Sequence, residues 1–227
     1  MGGLTRIATL FQNTAEGETL RLDAGDAIEG VADFQRIEHV AILKAFAEMK
    51  YAAANIGHRE AQLSLAQLRE LRGKSPVPII SANLLDAAAR QPVFETHRFV
   101  GRTAIIGVVD PRGLSETLGD GLVVEKMETA LGNLLPKLKA EADYIILLAF
   151  TDEPTLHALA REFYEIDVIL GGNVAQPAQQ LERANRSVIL YTANQSRAVG
   201  SLGLKLLAPH RIEVREGGVS QIGRAHV

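Results

Sequence analysis

The chain contains no cysteine. That absence excludes disulfides, thiolate metal sites and a cysteine nucleophile, so any metal would need His, Asp, Glu or Asn ligands. Long apolar runs are missing as well. Stretches such as Tyr144–Phe150 fall far short of the roughly 20 residues that cross a bilayer, so no membrane span is expected. Met1-Gly2-Gly3-Leu4 is not a signal peptide. No stripe of one charge exists either: 24 basic and 27 acidic residues are scattered to a formal net charge of −3, which argues against a nucleic-acid polymer as partner. Gly171-Gly172 lacks the Gly-Lys-Ser or Gly-Lys-Thr of a triphosphate loop, and there is no Gly-x-Ser-x-Gly elbow.

What is present is an α/β pattern. With 227 residues and 47% hydrophobic side chains, the chain can bury one sizeable core. Short apolar runs predict strands at 19–23, 52–56, 77–81, 103–109, 144–149, 167–170 and 187–191. Helical spacing predicts helices over 30–50, 60–71, 126–142 and 153–163, the first with an apolar face of Phe34, Ile37, Ala41, Leu43 and Phe46. Residues 198–216 read as a late β-hairpin with Pro209-His210 in its turn. One domain is expected over 1–220. Residues 222–227 have the form that one frame of a common sequencing-library adapter encodes, so 221–227 is expected to be a non-native tail and His226 to have no role.

The ends of parallel strands are where α/β proteins place their chemistry. Four polar segments fall there: Asp23-Ala24-Gly25-Asp26, Asn55 to Glu60, Phe150 to Glu153, and Gly171 to Ala175. Each alone is more often turn and helix cap than catalysis. Their order is more specific. Gly3-Leu4-Thr5-Arg6 followed by Leu22-Asp23-Ala24-Gly25-Asp26, the strand 49–57, Val77-Pro78-Ile79-Ile80-Ser81-Ala82-Asn83, the segment 104–111 and the segment 166–172 are collinear with motifs of the calcineurin-like metallophosphoesterases. They resemble its 5′-nucleotidase and UDP-sugar hydrolase branch along nearly the whole chain.

The resemblance implies an α/β/β/α sandwich, incomplete at its N-terminus because the family's opening Asp-x-His strand would precede Met1. It also implies hydrolysis of nucleotide phosphate esters by two divalent metals that generate a nucleophilic water. Against that pattern the residues depart sharply. Asp26 matches the bridging aspartate, but the family's Asn-His pair reads His58-Arg59, its Ser-His falls near Phe150-Thr151, and its Gly-His-Thr-His reads Gly172-Asn173-Val174-Ala175. Arg59 can bind an anion but cannot act as a general acid at ordinary pH. Asp26, His58 and Glu60, with Asn173 or Asp152 as a further oxygen donor, are the candidate ligands of one remaining Zn or Mn ion. The alternative is structural: His58 packs, Glu60 favours a helix N-terminus and Asn173 closes a turn. Asn194 and Arg197 are candidates to shape a substrate pocket. His39, His97, His157 and His210 are expected to be structural. The resemblance further implies a small phosphorylated substrate, a periplasmic or secreted protein, and a separate C-terminal domain that recognises the base. The competing reading is a non-catalytic binding module on the same scaffold.

Overall fold

The computed structural model describes residues 3–12, 19–178, 180–193 and 198–221. In chain order its elements are α1 (Leu4–Gln12), β1 (Arg21–Asp23), α2 (Asp33–Glu48), β2 (Tyr51–Asn55), a 3-10 turn (Glu60–Gln62), α3 (Leu65–Lys74), β3 (Ile79–Ile80), β4 (Leu84–Asp86), β5 (His97–Val100), β6 (Thr103–Val109) and β7 (Leu122–Val124). There follow α4 (Met127–Glu141), β8 (Tyr144–Phe150), α5 (Glu153–Glu162), β9 (Val168–Val174), β10 (Glu182–Ala184), β11 (Ser187–Ala193), β12 (Ala198–Ala208) and β13 (Arg211–Gln221).

Two sheets face each other. One is parallel, in the order β1-β2-β3, and the other runs β10-β11-β9-β8-β6-β5 with parallel pairing from β6 through β11. Between them lies a thin apolar layer of Ala53, Ile80, Ile105 and Leu148. Ala53 in this layer and Gly107 of β6 let the sheets approach closely. A Cβ on Gly107 would stand 2.4 Å from Asn55 Oδ1 and 2.7 Å from the Ile80 carbonyl, so β6 tolerates only glycine at that point. Asn55 completes the junction, its side-chain amide donating to the carbonyls of Ala24 (3.0 Å), Val108 (2.9 Å) and Leu148 (3.3 Å).

Helices cover the outer faces. Leu131, Leu135 and Leu138 of α4 and Leu156 and Leu159 of α5 join the core of the larger sheet, while Leu43 and Phe46 of α2 and Leu68 and Leu71 of α3 join that of the smaller one. The result is the α/β/β/α sandwich expected from the motifs. In α2 the inward face differs from the expected one: His39, Leu43 and Phe46 are buried, whereas Phe34 and Ile37 are 63% and 73% exposed. Spacing identified the helix, but its two ends offered apolar residues on both faces, and packing against β2 selected the His39 face. Ser64 caps α3 and accepts from Gln67 N, while the Gln67 side chain takes the Ser64 N–H.

The late hairpin β12–β13 forms with Pro209 and His210 in its turn. Buried Asp167 clamps that turn. Its carboxylate accepts from Ile145 N (2.9 Å), Arg186 Nη2 (2.9 Å) and His210 Nδ1 (3.0 Å), and Arg186 also donates to the His210 carbonyl. Removing the acceptor strands several donors in a buried place. Asp167→Ala is expected to lower stability by about 2–3 kcal/mol, read as a reduced urea midpoint at unchanged slope.

Candidate functional site

Four loops meet at the C-terminal ends of β1, β2, β6 and β8. The first two are interlocked. Gly25 (φ +117°) and Asp26 (φ 61°) take left-handed conformations that bend the chain back over β2, where a Cβ on Gly25 would lie 2.8 Å from Gly57 N. A Cβ on Gly57 would in turn meet Asp26 Oδ1 at 2.3 Å. Glycine is needed on both sides of this contact.

Glu60 holds the two loops together. It is almost wholly buried, and its carboxylate accepts from Asp26 N (3.0 Å), Gly57 N (2.9 Å) and Ile28 N (3.1 Å). Expected as a metal ligand, it is spent on backbone instead. His39 lies behind it at 3.8 Å, and burial pushes that imidazole down to about 4, which leaves it neutral at pH 7. Asp26 accepts from Arg59 N through Oδ1 (2.8 Å), and Arg59 Nε stands 3.8 Å from Oδ2. His58 turns the other way: its Nε2 pairs with the Asp110 carbonyl (2.8 Å), and its ring meets Phe150 edge-on at 5.1 Å.

The second pair of loops is organised by Arg112. Its guanidinium is bidentate to Asp110, and Nη2 also reaches Thr155 Oγ1 (2.6 Å), Asp152 Oδ1 (3.2 Å) and Thr151 Oγ1 (3.3 Å). Thr151 donates to Asp110 Oδ2 at 2.6 Å. Burial pushes the Asp110 carboxyl up, but the bonds from Arg112 and Thr151 outweigh it and hold it below its usual value. Asp152, expected as an oxygen ligand, caps α5 by accepting from Thr155 N (3.0 Å). Neither Asp110 nor Arg112 was singled out from the sequence. The signal was available, since Asp110-Pro111-Arg112-Gly113 follows β6 as the other polar turns follow their strands.

Asn173 is half-buried within β9, which extends to Val174 and pairs it with Ala193, so the expected turn at 171–175 is largely strand. Asn194 and Arg197 lie outside the described residues. The residues present do not fit a dinuclear metal centre. Glu60 and His58 are committed to protein partners, and the ligand atoms of Asp26, His58 and Glu60 do not gather within 4.8 Å of one another. Among the described residues, no helix is long and apolar enough to cross a membrane.

No family model and no curated protein sequence matches the chain. Solved structures do. Sulfate thiohydrolase SoxB from Thermus thermophilus superposes with a TM-score of 0.80 at 22% identity, over 97% of this chain and 42% of that one. A 5′-nucleotidase precursor from Thermus thermophilus gives 0.81 at 21% identity, over 97% and 49%. The calcineurin-like phosphoesterase YfkN from Bacillus subtilis gives 0.75 at 21% identity, over 96% and 81%. The chain spans less than half the length of the first two. The fold is that of the calcineurin-like phosphoesterases in the form shared with 5′-nucleotidases.

The acidic residues of the first two loops repel one another. Burial and then Glu60 push Asp23 up to about 7, against a hydrogen bond from Gly25 N, and burial and Glu60 push Asp26 up to about 6. A carboxyl raised above its unfolded value stabilises the fold at low pH, and that contribution is lost as pH rises through the folded pKa. Asp23→Asn keeps the acceptor for Gly25 N and removes the charge, so its Tm should exceed that of the parent at pH 8, with the difference shrinking toward pH 5. Glu60→Gln faces at least one loop N–H with a donor. It should cost about 1–3 kcal/mol in urea and lower the Asp26 pKa in an NMR titration.

Proposed function

We propose that this phosphoesterase fold binds a small phosphate ester at the strand ends, and that it does so without two-metal hydrolysis. The carrying observation is that guanidinium groups stand at the rim of the loops: the Arg59 side chain is 40% exposed and that of Arg112 is 61% exposed. The loops bearing them are joined by the bond from His58 to the Asp110 carbonyl. Two fixed cations offer the charge and planar donors that suit a phosphate, and neither can serve as the general acid of hydrolysis. The resemblance to 5′-nucleotidases favours a nucleoside monophosphate as the ligand, a periplasmic or secreted setting, and base recognition by a separate domain.

A second reading is hydrolysis with a single Zn or Mn ion. The observation in its favour is Asp26, a carboxylate at the strand ends whose pKa burial and then Glu60 push up to about 6, with Arg59 Nε 3.8 Å from its Oδ2. Calorimetric titration with AMP separates the two. Binding that weakens roughly tenfold in Arg59→Met, a change of about 1.4 kcal/mol, with phosphate release no greater than in buffer containing Zn or Mn, is the expected result. Metal-dependent phosphate release that Asp26→Asn abolishes would replace the binding reading with the hydrolytic one.

A further inference from the structure

On the outer face of the larger sheet, away from Asp26 and His58, α5 presents Glu153 and His157 one turn apart toward the edge strand β10. The spacing of four residues puts both side chains on one side of the helix. Glu182 of β10 points back at them, and His157 Nε2 lies 2.5 Å from Glu182 Oε2. One ligand atom from each of Glu153, His157 and Glu182 falls within 4.8 Å of the others. Behind them Tyr191 of β11 donates its hydroxyl to Glu182 Oε1 at 2.8 Å. That bond fixes the carboxylate with Oε2 turned toward the histidine.

We propose that Glu153, His157 and Glu182 form a mononuclear site for a divalent cation of the zinc class, with Tyr191 orienting Glu182 from behind. Three observations support the assignment. The donor set, one imidazole and two carboxylates, is that of a borderline cation and leaves a fourth position for water. Tyr191 occupies the place of an outer-shell partner, holding one carboxylate oxygen so that the other is presented. Charge is the third: among the described residues, neither carboxylate has a Lys or Arg within 4.0 Å, and the ion-pair partner of Glu182 is His157. Two acids, one imidazole and one phenol leave a surplus of negative charge on rigid elements. A divalent ion neutralises it.

The site uses none of Asp26, His58, Arg59 and Arg112; Glu153 is the first residue of α5, next to the cap Asp152. Glu153 is exposed and the other two are half-buried, so the ion has a path to solvent and space for water. Binding needs the His157–Glu182 contact to open, and the Glu153 oxygen to settle, at about 3.3 Å, the ligand separation of a tetrahedral centre with bonds near 2.0–2.1 Å. A bound ion would tie α5 to the β10–β11 edge, giving the metal a structural role as well as an open coordination position.

The test uses the chelator-treated chain and Zn²⁺ alone, read by metal content after dialysis and by Tm with and without the ion. One Zn²⁺ per chain and a raised Tm are expected for the parent and for Asp26→Asn. Glu153→Gln, at an exposed helix position, and His157→Ala are each expected to weaken binding at least tenfold and to lose the Tm response. Co²⁺ in place of Zn²⁺ should give the visible absorption of a four-coordinate centre with N and O donors. Absence of Zn²⁺ uptake by the parent, or uptake unchanged in folded Glu153→Gln and His157→Ala, overturns the proposal.

Discussion

The strand-end loops depend on one buried carboxylate. Glu60 gathers three backbone N–H groups from the loops after β1 and β2, donors that the left-handed turn at Gly25 and Asp26 would otherwise leave unpaired away from water. A buried acceptor with three N–H partners offsets its own desolvation through those bonds, and burial still keeps its pKa above the usual range. The cost appears in its neighbours. The carboxyls of Asp23 and Asp26 are raised first by burial and then further by the Glu60 charge. Architecture and electrostatics of the loops are therefore one problem, and neither can be changed without the other.

That arrangement separates the shape of the strand-end loops from the polar side chains they display. The shape of the β1 and β2 loops rests on Gly25, Gly57 and Glu60, all of which act through backbone. At the β6 and β8 loops Arg112 bridges Asp110, Asp152 and Thr155, placing a positive charge among oxygen donors. Thr151 fits beside it, its hydroxyl donating to Asp110 Oδ2.

Much of this was legible in the sequence. The strands at 103–109, 144–149 and 187–191, the helix over 153–163 and the hairpin around Pro209 were announced by apolar period and by turn residues, both local signals. The strands that escaped notice, β4, β5, β7 and β10, are of three or four residues, too short for alternation to stand out from loop. Glu60 was found but given another role, because its partners at 26 and 28 lie more than 30 residues away and spacing carries no record of them. The same holds for Asp167 and His210, 43 residues apart, and for Glu182, whose meeting with His157 depends on an edge strand that no periodicity revealed.

Asn55 has an implication of a different kind. A single amide nitrogen serves carbonyls from the β1 loop, β6 and β8, while Gly107 brings β6 against β2 with no room for a side chain. Neither sheet can open its inner edge without breaking bonds that belong to the other. The two sheets thus constitute one cooperative unit rather than two halves that melt in sequence.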